Sequence, residues 1–391
     1  SCQSGLTVAT QQRMVSTMSA VHHPIHSFPL TLKAVSKPWL ATVLAVPDSD
    51  LLAFTVTAPA VKRGYGSDIG FIHLQWRPGT ATRHLPEKLL IKVMPDYPAT
   101  AEMARQRRTF CREARFYHEF AASTPVRLPK AYAALWDDAT GDAVLLLEDC
   151  SAMQAFSFFN PPDLAQLEHI VDAAARFHAH WWGRTAALDT SEAVMSPSHP
   201  VWRQWAGEMA ANWAAWLDSS MAASMSPEWT HLCRKLAATA AARMTEQWPT
   251  MNLTLCHMDM HCQNIFFDAA TPLDPVVLFD WDGCHLGCGV HDIAYLFGLL
   301  PVELRRQVET PLLNRYHVKL LQAGVDDYDH AALIQDYAFG CLFNTFLIPM
   351  QLALDLTDEQ GLADAQQMVI GLLQMVIDNE AAQLLAAPER G

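Results

Sequence analysis

Residues 255–268 read LCHMDMHCQNIFFD, and residues 276–280 read VVLFD. Between Cys256 and Asn264 the first stretch crowds two His, two Cys and an Asp, and then it turns apolar. It could be a metal cluster, a catalytic loop or a polar turn between buried strands. Its second half, IFFD, is separated from VVLFD by AATPLDP. Two short apolar runs around a Pro- and Asp-rich loop predict an antiparallel hairpin. Asn264 then precedes the first strand and Asp280 ends the second, so an amide and a carboxylate lie side by side, about 5 Å apart, at its open end. Hard oxygen ligands of this kind suit Mg²⁺, which typically takes one or two protein oxygens plus substrate phosphates. Asp259, in the loop entering the hairpin, can face the same point without being a ligand. A carboxylate so placed can orient an attacking hydroxyl and accept its proton.

Working outward, the chain divides in two. Residues 50–94 carry three strand-like runs, LLAFTVTAPAVK, IGFIHLQW and KLLIKVM, with RGYGSD after the first. Residues 101–121 repeat Met103, Phe110, Ala114, Tyr117 and Phe120 at helical spacing, which predicts one long helix. KAYAALWD and DAVLLLED predict two more strands. Beyond residue 150 the pattern is helical, with Leu164, Leu167, Val171, Ala174, His178 and Trp181 forming one face of the first helix. Further helices are predicted over 201–217, 228–248, 301–322 (stopped by Gly324), 330–355 and 362–387, interrupted by one β island at 252–280. The domains expected are a partly disordered leader and extension over 1–40, a nucleotide-binding lobe over 41–150 and a helical lobe over 151–391, joined near Leu147–Ser151. The Ser/Thr/Gln-rich start, with no Asp or Glu before residue 48, reads as a transit peptide or as a leader ahead of a start near Met18, and residues 1–17 are excluded from the fold.

The totals narrow the function. The 391 residues carry a net charge of −14, which disfavours nucleic acid held by phosphate neutralisation. Nine scattered Cys fit reduced thiols in a cytoplasm better than a disulfide framework. No uninterrupted apolar run approaches the roughly 18 residues of a membrane span.

The pattern H-x-D-x-x-x-x-N, followed by two strands and an Asp, resembles the catalytic loop and metal-binding Asp of kinases. The fuller pair, HMDMHCQN and VLFDWDGCHLGCGVHDIAYL, resembles the aminoglycoside phosphotransferase and choline kinase-like superfamily, and within it the ecdysteroid-kinase-like branch with its bacterial relatives. AARFHAHWW and NRYHVKLLQAGVDDY resemble that branch too. The resemblance implies a bilobal, protein-kinase-like α+β fold with ATP and Mg²⁺ in the cleft. It implies transfer of the γ-phosphoryl group to a small-molecule hydroxyl. Asp259 would be the base, with Asn264 and Asp280 holding the metal. Lys92 in LLIKVM would bind phosphates and Glu113 in REARFY would position it. Gly64, Gly66 and Ser67 would cover the phosphates, and Glu148 and Cys150 of LLLEDCS would meet adenine. Asp292 would brace the catalytic loop.

Three departures matter. Met258 stands where the family often has Gly. Asp-Trp-Asp at 280–282 replaces the Asp-Phe-Gly of protein kinases. Only 12 residues separate Asp280 from Asp292, which leaves no room for a peptide-docking segment.

Rival readings stand beside this one. The pairs Cys256–His257, His261–Cys262 and Cys284–His285, with Cys288 and His291, could be zinc ligands of a hydrolase, although they lack C-x₂-C spacing. A catalytically silent nucleotide-binding protein is another rival, but it would usually lack one of the five catalytic positions. His257 is read as structural, and His261 either packs or contacts substrate. Trp202, Trp205, Trp213 and Trp216 recur along one helix, as a core stripe or as an acceptor wall. On the second reading Trp182, Trp205, Trp213 and His261 meet the acceptor, and the Trp-rich, thinly acidic 180–216 segment favours a bulky apolar or cationic alcohol.

Overall fold

A computed structural model describes residues 27–59, 67–79, 85–245, 252–351 and 359–385. Gly64, Gly66 and the leader around Met18 lie outside the described residues.

Five antiparallel strands form the first lobe: β1 (Leu51–Thr57), β2 (Asp68–Trp76), β3 (Lys88–Val93), β4 (Ala131–Trp136) and β5 (Ala143–Glu148). Their order is β1-β2-β3-β5-β4. Side chains alternate across a strand, so β5 feeds two cores. Val144 and Leu146 join Ile72, Leu89 and Ile91 on the outer face, whereas Leu145 and Leu147 join the main core inside. The outer face is closed by helix α1 (Lys37–Val43), which Ser36 caps, and which inserts Trp39 and Leu40. Val35, just before α1, packs with the same sheet face. The inner face is closed by α2 (Pro98–Arg107) and α3 (Thr109–Glu119). The single helix expected over 101–121 is therefore two. Arg108 takes a left-handed turn (φ 55°) between them, and Met103 lies on the exposed side of the break while Phe110, Ala114 and Tyr117 form the buried face.

After the connector, the two-residue strand β6 (Gln154–Ala155) leads into α4 (Leu164–Trp181), α5 (Thr185–Asp189), α6 (Pro200–Leu217), α7 (Ser220–Ala223) and α8 (Pro227–Thr245). Asp163 and Gln166 close a capping box at the start of α4. Leu164, expected on the buried face of α4, is exposed; the face begins at Leu167.

Strands β7 (Leu253–Cys256), β8 (Ile265–Phe267), β9 (Val276–Leu278) and β10 (His285–Cys288) follow. The β8–β9 pair is the expected hairpin, with Ile265 opposite Leu278. The island reaches beyond 280, however, because β10 returns to pair with β7 and β6 adds to the edge of β8. These pairings bring the loop before β8 against the loop after β9.

Helices α9 (Val290–Gly298), α10 (Val302–Gln322), α11 (His330–Phe343), α12 (Leu347–Met350) and α13 (Glu359–Asp378) complete the lobe. Gly324, at φ 95°, ends the turn after α10, a conformation that favours glycine. The stretch His330–Met350 has the length and mean hydropathy (1.3) of a membrane span, but 61% of it is buried inside this fold.

Candidate active site

The loop between β7 and β8 is held from beneath. Asp292, in the first turn of α9, accepts hydrogen bonds from the backbone N–H of His257 (2.6 Å) and Met258 (2.9 Å). Its carboxylate also meets His178 Nε2 at 3.2 Å, and the other nitrogen of that ring meets the Tyr316 hydroxyl at 2.8 Å. His257 Nε2 bonds the Phe279 carbonyl at 3.0 Å, which ties this loop to the hairpin's second strand. Met258 sits at φ 72°, a left-handed backbone that costs any residue but glycine. Opposite it, a Cβ on Gly283 would lie only 3.1 Å from the His257 carbonyl. The two loops therefore touch backbone to backbone.

This frame presents Asp259 and Asn264. The Asn264 side chain closes a short turn (Cys262–Asn264) and donates through Nδ2 to the Asp259 carboxylate (2.8 Å) and carbonyl (3.0 Å). The Tyr295 hydroxyl donates to Asp259 Oδ1 at 2.5 Å, and His261 Nε2 lies 3.4 Å from Oδ2. Burial opposes ionisation of Asp259. The His261 imidazole beside it and the hydrogen bond from Tyr295 outweigh it and hold the carboxyl well below its ordinary range. About a third of the side chain stays open.

From the sheet lobe, Lys92 on β3 reaches in with its side chain 3% exposed. Its ammonium pairs with Glu113 of α3 at 2.6 Å and with Asp280 at 2.8 Å. Burial acts to lower the Lys92 pKa, but the Asp280 and Glu113 charges override it and raise the pKa. Burial likewise raises Glu113 against the pull of Lys92, and burial and the Asp280 charge raise Asp282 strongly. The segment behind Asp280 is anchored to α3. Trp281 is fully buried and stacks on Phe116 (4.3 Å, 6°). Its backbone N–H donates to Glu113 Oε1 (3.4 Å), its indole N–H to the Leu278 carbonyl (3.1 Å), and Arg112 Nε to the Asp282 carbonyl (3.1 Å).

The donor set fits a hard cation. Asn264 spends its amide nitrogen on Asp259, and Asp280 spends Oδ1 on Lys92. Among the described residues no donor engages Asn264 Oδ1 or Asp280 Oδ2, and these are the atoms a divalent metal would take. The zinc reading fares differently. Cys256, Cys262, Cys284 and Cys288 are free, buried thiols, and burial pushes Cys262 up to about 12. Among the described residues no three His, Cys, Asp or Glu converge as a metal site.

The remaining expected positions divide. Glu148 ends β5 and accepts from the Lys130 N–H at 3.1 Å; Cys150 is buried, and its carbonyl accepts from the Met153 N–H. Ser67 immediately precedes β2. The ring of Trp213 is 1% exposed and packs edge-on against Trp216 (5.7 Å), so it is a core residue and not an acceptor wall. Trp205 is half-buried, between Trp202 and the Arg107 guanidinium. Trp182 packs on Tyr328 at 5.0 Å. No hydrogen bond or ring contact links any of the three to Asp259, Asn264 or Asp280. Phe158, which sequence reasoning missed, lies 5.8 Å from His261, and the neighbouring Phe159 is 54% exposed. Tyr295, Arg112 and Trp281 were also missed. The sequence signal for Tyr295 was a single hydroxyl inside the apolar run IAYLFG.

No curated protein matches this chain. Solved structures show the fold. An ethanolamine kinase of Plasmodium vivax superimposes with a TM-score of 0.56 at 10% identity, over 89% of this chain and 88% of its own. A microcompartment-associated aminopropanol kinase does so with a TM-score of 0.53 at 12% identity, over 90% and 98%. The sequence model of the ecdysteroid kinase-like family matches residues 62–325, a span that holds Lys92, Glu113, the Asp259 loop and Asp280. The chain therefore belongs to the ecdysteroid kinase-like family and is a small-molecule kinase of the bilobal, protein-kinase-like fold.

Proposed function

We propose that this enzyme moves the γ-phosphoryl group of ATP to a hydroxyl of a bulky, largely apolar or cationic alcohol. The observation that carries the reading is the convergence of Lys92 from one lobe with Asp280, Asn264 and Asp259 from the other. Lys92 holds the donor phosphates after leaving Asp280. Asn264 and Asp280 hold a divalent cation, which when bound neutralises phosphate charge. Asp259 orients the acceptor hydroxyl and takes its proton. The acceptor oxygen bonds to the γ-phosphorus, the bond to the bridging oxygen breaks, and ADP leaves with that electron pair; the proton passes from Asp259 to solvent. Hydrogen bonds from Asn264 and Tyr295 and the nearby His261 keep Asp259 anionic, which suits orientation more than strong base catalysis. The loose transition state of phosphoryl transfer makes little demand for a strong base.

The acceptor class rests on the surroundings of His261. Phe158 backs His261 from the core, the next residue Phe159 exposes an apolar ring, and exposed aromatic faces also attract alkylammonium groups. Trp205 supports the same reading from α6. The short Asp280–Asp292 stretch, filled by β10, supports a small acceptor over a peptide. The test is Mg·ATP consumption with sterols, amino alcohols, sugars and aminoglycosides, with the Asp259→Asn variant as control. We expect apolar or cationic alcohols to stimulate turnover most. Simple sugars as the best acceptors would sink the acceptor class, and equal turnover by the Asp259→Asn variant would sink the mechanism.

A further inference from the structure

The hydrogen bonds around Asp259 can be counted lone pair by lone pair. A carboxylate oxygen accepts about two hydrogen bonds. Oδ2 accepts from Asn264 Nδ2 at 2.8 Å and has the His261 imidazole beside it, with Nε2 at 3.4 Å, an ion-pair distance. The His261 tautomer follows from its other nitrogen: Nδ1 accepts from the Gln263 N–H at 3.2 Å, so in the neutral ring the proton resides on Nε2. Oδ2 is therefore held by Asn264 and flanked by His261. Oδ1 faces one donor, the Tyr295 hydroxyl at 2.5 Å, and keeps a second acceptor site on a side chain that is about a third open.

Tyr295 is not free to wander. Its ring lies parallel to His261 (6.1 Å, 21°), and His261 is backed in turn by Phe158. The ring is buried on α9, the helix whose Asp292 braces the same loop from below. One helix thus fixes both the backbone of the loop and the rotamer of its carboxylate.

We propose that the acceptor hydroxyl docks on Asp259 Oδ1 beside the Tyr295 hydroxyl, and that Tyr295 is a positioning residue for phosphoryl transfer. It acts through Asp259. Its hydrogen bond holds Oδ1 toward the acceptor and stabilises the anion that receives the hydroxyl's hydrogen bond, while His261 and Asn264 keep the second oxygen from rotating into that place. This inference rests on the kinase reading above and names the atom at which that reading operates.

The test uses the full chain in single-turnover hydrolysis of Mg·ATP with enzyme in excess, so that water serves as the acceptor probe. Loss of one hydrogen bond to a charged group corresponds to about 10–100-fold. Tyr295→Phe is therefore expected to lower the rate constant about 10–100-fold, with the half-saturating enzyme concentration and the melting temperature close to the parent's. Because Tyr295 acts through Asp259, the double variant Asp259→Asn/Tyr295→Phe should be no slower than Asp259→Asn alone. His261→Gln, which keeps an N–H donor, should stay faster than His261→Ala. A Tyr295→Phe variant at the parent rate beside a slow Asp259→Asn variant would overturn this inference and leave the kinase reading standing. Additive losses in the double variant would overturn it too. An Asp259→Asn variant at the parent rate would remove both. Should Tyr295→Phe prove unstable, the order of the two His261 variants decides, and equal rates for them count against the clamp.

Discussion

The Lys92 ammonium rests 2.8 Å from Asp280 Oδ1, so the charge that would hold phosphate is neutralised in advance by a carboxylate that would hold metal. Nucleotide binding has to exchange these partners, and the two residues therefore respond in opposite senses. Asp280→Ala should lose the enhancement that Mg²⁺ gives to ATP binding, yet bind metal-free ATP at least as well as the parent, because Lys92 no longer has to leave a partner. Lys92→Ala should weaken ATP binding with and without Mg²⁺. Calorimetric titrations in both conditions separate the two. Parent-like binding of Mg·ATP by both variants would show that the cleft is misassigned.

Lys92 also has a structural debt to Glu113, which is fully buried. Removing one partner of a buried pair costs about 3–5 kcal/mol, because the other is left uncompensated. Lys92→Ala should therefore lower the melting temperature, and Lys92→Ala/Glu113→Gln should recover a good part of the loss by removing the stranded carboxylate. A double variant no more stable than Lys92→Ala would mean that Glu113 is satisfied without Lys92.

For Asp259→Asn we expect turnover to fall by about 10²–10⁴-fold, the usual span for loss of a positioned acid–base group. ATP affinity should be nearly unchanged, since Asp259 makes no bond to Lys92 or Asp280. Initial rates with the best acceptor and a separate ATP binding isotherm test the two halves. Near-parent turnover would take Asp259 out of the mechanism.

Stability should also fall as the pH drops from 7 to 5. Burial pushes His285 down to about 4 and His291 down to about 3, from an ordinary value of 6.5. A depressed folded-state pKa means that the unfolded chain binds protons first. The stabilisation is complete above 6.5 and is lost as pH falls toward the folded values. Each histidine should contribute about 2 kcal/mol of loss between pH 7 and pH 5, above the range where most carboxylates titrate. Urea unfolding at the two pH values, with proton uptake measured calorimetrically, checks this; uptake of less than one proton at pH 5.5 would contradict it.

The tryptophans give a cleaner contrast. Trp213→Ala should cost about 3–5 kcal/mol, as expected for an aromatic ring in a closed core. Trp205→Ala, half-buried beside Arg107, should cost less and should raise the acceptor KM if α6 borders the acceptor. Equal destabilisation by both would make Trp205 a packing residue too.

What the sequence disclosed and what it hid follow from the range of the interactions. Lys92 stood out as a charge inside an apolar strand, and Asn264 and Asp280 stood out because a hairpin dictates which ends meet. Those are local rules. The break at Arg108 obeys none, since helical spacing continues across it; it follows from how α2 and α3 lie on the sheet. Tyr295 comes 36 residues after its partner and reaches it only because α9 returns beneath the loop. The tryptophan stripe misled for a related reason. Periodicity reveals which residues share a helix face, but not whether that face meets a cleft or the core, and at Trp213 it meets the core.

The stack of Trp281 on Phe116 bears on how this enzyme can be inhibited. Swinging the Asp280–Asp282 segment outward would strip a fully buried indole of its cover. At 150–250 Å² for such a ring and about 25 cal/mol per Å², the outward state lies some 4–6 kcal/mol uphill. It is occupied by about one molecule in a thousand or fewer. A compound that needs that state loses the same factor in affinity before it makes a single contact. Selective inhibitors are better sought at Asp259, whose side chain is already about a third open with the segment in place.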